Sequence, residues 1–125
     1  MTTILRSLHA AILVSDLDQA ATFYGETLGL EAAPRALNFP GLWYQVGDFQ
    51  LHLIHHEGWH APDPRPDKWG RNPHLAFQVE DLGAVKTRLS DRGYPIQMSA
   101  SGRAALFTQD ADGNVVELSQ RPLSS

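Results

Sequence analysis

The chain repeats itself once, and that repeat constrains its fold more than any other feature. Residues 9–17, His-Ala-Ala-Ile-Leu-Val-Ser-Asp-Leu, return at residues 74–82 as His-Leu-Ala-Phe-Gln-Val-Glu-Asp-Leu. Five of the nine positions are identical and a sixth is apolar in both copies, at a displacement of 65 residues. A period of that length makes each copy one small structural unit, built twice to the same plan.

The residues after each copy match as well. Beyond Asp16 the apolar residues Leu17, Ala20, Ala21, Tyr24 and Leu28 fall at helical spacing. Ser15 with Asp18 supplies an N-terminal signal, and Gly29 is placed to end the helix. In the second copy Leu82, Val85 and Leu89 keep the spacing and Gly93 stands at the stop. Short strands are expected next. In the first half they run over about 30–36, Leu42–Val46 and Phe49–Ile54, with Gly47-Asp48 as a tight turn. In the second half they run over about 95–100, Arg103–Gln109 and Val115–Gln120. The order is β-α-β-β-β, twice. The predicted fold is therefore α+β: two tandem βαβββ modules related by a pseudo-twofold repeat, forming a cupped, partly open mixed sheet.

The chain is expected to be one domain over residues 1–125, with module 1 at about 4–55 and module 2 at about 74–121. Between them residues 55–73 hold four prolines, two tryptophans and three histidines without periodicity, and read as a linker centred on 56–73. With 125 residues, 42% of them hydrophobic, the chain can bury a core unaided. It has no cysteine, which excludes disulfides, thiolate zinc sites and cysteine nucleophiles. The net charge is -4 and the ten Lys and Arg residues are scattered, so neither a nucleic acid nor a membrane is the expected partner. No basic segment leading into a long apolar run opens the sequence, and a cytoplasmic location is the default expectation.

The displacement of 65 also governs a second pair of positions. His9 maps to His74, and His52 maps to Glu117. In each half the start of the first strand and the middle of the last carry a group able to bind a metal ion. Strand alternation puts each of them opposite an apolar face. His9 lies opposite Ala10, Ile12 and Val14; His52 opposite Leu51 and Leu53; His74 opposite Leu75 and Phe77; Glu117 opposite Val116 and Leu118. A lone strand histidine is ordinarily a hydrogen-bonded or surface side chain, but four such groups at repeated positions on one face are consistent with a shared divalent ion. His55, His56 and His60 have no counterparts at that displacement and read as surface or rim residues, while His55 or Gln50 would replace His52 under a shifted register.

These features carry a family likeness. The paired β-α-β-β-β order, His9 opening a strand that ends in Ser15-Asp16-Leu17, and Phe23-Tyr24 through Leu28-Gly29-Leu30 resemble the vicinal oxygen chelate superfamily. So do His74-Leu75-Ala76-Phe77 and the run from Asp110 to Leu118. That group comprises glyoxalase I, fosfomycin resistance proteins, extradiol dioxygenases, methylmalonyl-CoA epimerase and metal-free bleomycin resistance proteins. The resemblance implies one divalent ion (nickel, manganese, zinc or iron) per site, ligated by His9, His52, His74 and Glu117, and a homodimer. Glyoxalase I commonly has a carboxylate where this chain has His52. Glutathione is not indicated by any residue.

Three imidazoles and one carboxylate leave an octahedral divalent ion one unit of positive charge and two open positions, which suits vicinal oxygens of a small substrate. Glu117 is then the carboxylate available as a general base. The leading expectation is thus isomerase or lyase chemistry resembling glyoxalase I. Without His52, the triad His9, His74 and Glu117 is the set used by oxygen-activating iron, and an extradiol-type dioxygenase becomes the alternative. A metal-free binder of the bleomycin-resistance kind is the second alternative. Tyr44, Arg71, Arg103 and Phe107 are the candidate substrate contacts, with Phe39, Trp43 and Trp59 as further aromatic wall residues.

Overall fold

A computed structural model describes residues 3–120 of the chain. It forms two compact units that divide between Trp59 and His60, each with its own four-stranded sheet. The first unit contains β1 (His9–Val14), α1 (Leu17–Ala20) with a π-helical continuation over Ala21–Thr27, β2 (Glu31–Ala32), β3 (Gly41–Val46) and β4 (Phe49–His55). Its sheet order is β1-β4-β3-β2, with β1 parallel to β4 and the other pairs antiparallel. The second unit contains β5 (His74–Gln78), α2 (Leu82–Asp91), β6 (Ile96–Met98), β7 (Ala105–Gln109) and β8 (Val115–Ser119), in the order β5-β8-β7-β6. The α+β class and the tandem βαβββ plan are as the repeat requires.

The shared Asp-Leu of the repeat is the helix start. Asp16, in extended conformation, accepts a hydrogen bond from the Gln19 amide at 2.9 Å, and Asp81 accepts one from the Ala84 amide at 3.1 Å. Each carboxylate satisfies an otherwise unpaired amide of the first turn. The cap is therefore Asp16, not Ser15 with Asp18. Gly29 and Gly93 come after the helices at φ 80° and 81°, the left-handed conformation in which a Cβ would be strained. In the first unit the helix widens after Ala20. The Leu28 amide reaches back five residues to the Phe23 carbonyl at 2.9 Å, and Thr27 Oγ1 does the same to the Thr22 carbonyl at 2.8 Å.

Each helix buries one side. Ala20, Phe23, Tyr24 and Thr27 are buried with Val14, Tyr44, Leu51 and Leu53 in the first unit. Leu82, Val85 and Leu89 are buried in the second, as are Leu106, Val116 and Leu118. Burial of each such large apolar side chain contributes about 1.5–3 kcal/mol. A tight approach is visible at Gly25, where an added Cβ would lie 3.3 Å from the Tyr44 hydroxyl.

Three expectations are corrected. The third element of each half is shorter than the composition suggests, Glu31–Ala32 in place of 30–36 and Ile96–Met98 in place of 95–100. Pro34 and Pro95 lack the amide that a longer ladder would use. The strand expected from Arg103 begins at Ala105. The linker, in turn, is built into the second unit from His60 onward. Asn72, buried, accepts from the Arg65 amide and donates to the Arg65 carbonyl and to Asp63 Oδ1. Gln97 of β6 accepts from the Trp69 amide and donates to the Asp67 carbonyl. Among the described residues no helix is long and apolar enough to cross a membrane.

Candidate functional site

The four repeated positions fall into two pairs, one in each unit, and the register is the same in both. Across the parallel pair β1/β4, His9 faces Gln50 and Ala11 faces His52. Across β5/β8, His74 faces Val115 and Ala76 faces Glu117. Each member of these pairs is displaced by 65 from its counterpart.

In the second unit the pair is in contact. His74 Nε2 lies 3.3 Å from Glu117 Oε1. His74 Nδ1 lies 2.7 Å from the Asn72 carbonyl oxygen, which can only accept, so Nδ1 carries a proton. The other ring nitrogen, Nε2, is turned toward a carboxylate oxygen. Two acceptors at that distance need a proton or a cation between them. Donor atoms about 2.1 Å from one ion sit roughly 3.0–3.4 Å apart, the separation seen here. Glu117 is 5% exposed, and its Oε2 has no hydrogen-bond partner, although Arg103 Nη2 stands 3.4 Å away as an ion pair. A buried carboxylate with one oxygen so sparsely served fits a cation-binding role, because leaving such a group unpaired is costly. Phe107 packs edge-on against His74, with ring centroids 5.7 Å apart.

In the first unit the pair is stacked. The His9 and His52 rings are 4.2 Å apart between centroids and 13° from parallel, and Trp43 covers the other face of His52 at 4.1 Å and 10°. Arg35 lies beside this column, its guanidinium carbon 4.8 Å from the Phe39 ring centroid and 5.9 Å from that of Trp43. Ring nitrogens offer their lone pairs in the ring plane. Planes so nearly parallel do not meet at one nearby point, so one of the two rings must rotate before both can bind a single ion. Among the described residues no three His, Asp or Glu side chains gather as a group able to hold a metal.

Burial, the neighbouring His9 and the Arg35 guanidinium, in that order, hold the His52 pKa below its usual 6.5. The folded state thus takes up this proton less readily than the unfolded chain. His52 contributes stability in full above pH 6.5, and the contribution is lost as pH falls through the lower folded value. The His52 ring signals in a ¹H NMR titration are expected to move with a midpoint below 6.5. A midpoint at or above it would contradict this environment.

The other sequence candidates are dispersed. Tyr44 is on the helix-packed face of β3, 4% exposed, where burial raises its pKa; Trp43 is the residue paired with His52 across the ladder. Arg71 ends the short 3₁₀ turn Trp69–Arg71 and is exposed, while Arg103 reaches Glu117. Trp59 meets His56 edge-on at 6.3 Å, and Phe39 holds Arg35. Sequence reasoning missed Arg35, Asn72 and Gln45, and it named Gln50 only as a substitute for His52 under a shifted register.

Residues 6–118 match the Glyoxalase/Bleomycin resistance protein/Dioxygenase superfamily, and the chain belongs to that family. It is 31% identical over 129 residues to an ethylmalonyl-CoA/methylmalonyl-CoA epimerase of Cereibacter sphaeroides, covering 90% of this chain and 95% of that protein. It is 32% identical over 113 residues to the glutathione transferase FosA of Serratia marcescens, covering 88% and 77% respectively. Among solved structures it resembles TnmS3, an antibiotic binding protein from Streptomyces sp. CB03234, with a TM-score of 0.69, 25% identity and coverage of 98% and 100%.

Proposed function

We propose that the chain is a divalent-metal-dependent enzyme of isomerase or lyase type, which moves a proton on a small substrate bearing two adjacent oxygens. The observation that carries this reading is the His74–Glu117 pair: an imidazole anchored through Nδ1 on the Asn72 carbonyl, with Nε2 3.3 Å from a buried carboxylate oxygen. His74 and Glu117, with His9 and His52, are the residues that would hold the ion. A bound divalent ion would supply Lewis-acid polarisation of the substrate oxygens. Glu117 would take and return the proton, since it is the only carboxylate of the four and its Oε2 accepts no hydrogen bond. Arg103, with its side chain 49% exposed, would hold that oxygen in place and offer its remaining N–H groups to an anionic substrate group. Support for proton transfer also comes from the similarity to the epimerase.

The test is metal content by mass spectrometry on protein purified without a histidine tag, for wild type and His52→Ala. About one ion per site in wild type and a marked loss in the variant are expected, together with solvent deuterium entering the substrate next to a carbonyl. Wild type that takes up no nickel, manganese, zinc or ferrous iron would sink the reading. Full retention by His52→Ala would leave the triad of an oxygen-activating iron site and direct the screen to catechols.

A second reading is favoured by the parallel stack of His9, His52 and Trp43, which resembles the wall of a site for a flat ligand more than half of a metal centre. On that reading the chain binds a small molecule without turnover; TnmS3, which it resembles, is an antibiotic binding protein. Ligand binding unchanged by chelators would select it.

A further inference from the structure

Four hydrogen bonds in the first unit form a directed chain that ends on His52. Gln45 Nε2 donates to the Gly47 carbonyl at 2.7 Å and to the Phe49 carbonyl at 3.4 Å. Carbonyl oxygens accept only, so the nitrogen of the Gln45 amide must face the turn and its oxygen must face away. That oxygen accepts from Gln50 Nε2 at 2.8 Å, which fixes the Gln50 amide in turn. The Gln50 oxygen is left 2.9 Å from His52 Nε2. Two acceptors cannot share that distance, so Nε2 carries a proton and the neutral ring keeps its lone pair on Nδ1.

The frame that sets this chain is the β3/β4 ladder. Gln45 and Gln50 are directly opposed across the β3/β4 ladder, and Gln50 and His52 are two apart on one face of β4. The stacked rings of His9 and Trp43, at 4.2 and 4.1 Å, hold the plane of the His52 ring. We propose that Gln45 and Gln50 are positioning residues that hold His52 in its Nε2–H tautomer and make Nδ1 the nitrogen it presents to an ion or an incoming donor group. Outer partners of this kind commonly set which nitrogen of a ligand histidine is available. In the second unit His74, the counterpart of His9, is held the other way round: its Nδ1 donates to the Asn72 carbonyl and Nε2 is the nitrogen left to face Glu117.

The part concerning the ion rests on the metal-binding reading above; the tautomer does not. It is read from ¹H–¹⁵N long-range correlation spectra of the metal-free protein at about pH 8, above the ordinary histidine range. Wild type is expected to show a slowly exchanging Nε2 proton on His52. Gln50→Leu is expected to lose that proton to exchange and to populate the Nδ1–H form. A wild type protonated on Nδ1, or a Gln50→Leu spectrum like wild type, would overturn the proposal, and the wild-type measurement decides even if a variant fails to fold. Zinc titration adds a second readout. Affinity is expected to fall by about 10–100-fold in Gln50→Leu. A rise in affinity would mean that Gln50 competes with the ion for Nε2, and would overturn the assignment of Nδ1. If wild type binds no zinc while the proton pattern is as described, the metal-binding reading fails and the tautomer assignment stands.

Discussion

Glu117→Gln is expected to weaken divalent-ion binding at least tenfold and to abolish turnover, while leaving the protein folded. The substitution keeps the volume of a residue that is 5% exposed, so the packing of β8 is undisturbed. It removes the charge that faces His74 at 3.3 Å and Arg103 at 3.4 Å. Loss of an outer-shell partner alone typically costs about 10–100-fold in metal affinity, and a direct carboxylate ligand contributes more. Turnover should fall further than affinity, because removal of a positioned base costs about 10²–10⁴. Isothermal titration with zinc or nickel, beside a thermal melt of the same sample, separates the two effects. A variant that binds metal as wild type does would remove Glu117 from the ligand set. A variant that binds metal weakly but melts many degrees lower would instead mark Glu117 as a structural ion-pair partner.

Much of this site was legible in the sequence because the repeat carries register as well as element order. His9 faces Gln50 and His74 faces Val115 in the structure, and both pairs are related by the displacement of 65 seen in the residues alone. Period-two alternation placed His52 opposite Leu51 and Leu53, and those two leucines are buried. Tyr44 was misplaced for want of one further step. With Gly47-Asp48 as the turn, Val46 opposes Phe49, so Trp43 must oppose His52 and Tyr44 must oppose Leu51 on the apolar face. The same count pairs Gln45 with Gln50, and the hydrogen-bond chain could have been suspected from it. Other features had no such signal. The π-helical turn over Ala21–Thr27, where Gly25 lies against Tyr44, is not encoded by helical periodicity. The linker has no periodicity because its order comes from single side chains, Asn72 satisfying the Arg65 backbone seven residues away and Gln97 the Trp69 amide 28 residues away.

Phe107→Ala is expected to lower stability by about 3–5 kcal/mol, a drop in melting temperature of roughly 10–20 °C, and to loosen His74 at the same time. The sequence alone allowed this ring to be a substrate contact, but its surroundings are those of a packing residue. It is 7% exposed, lies directly opposite Glu117 across β7 and β8, and meets the His74 ring edge-on. Gly70 leaves no slack on its other side. A Cβ there would fall 2.6 Å from the tip of the Phe107 ring, closer than any comfortable contact. Truncation would therefore open a cavity bounded by the 3₁₀ turn and by the imidazole whose orientation the metal-binding reading requires. Phe107→Leu restores most of the volume and should cost under half as much, with metal affinity near wild type. Chemical denaturation of the three proteins checks the stability order, and zinc titration checks the coupling to His74. If Phe107→Ala melts within a few degrees of wild type yet loses substrate or ligand binding, the ring belongs to the binding surface and not to the core.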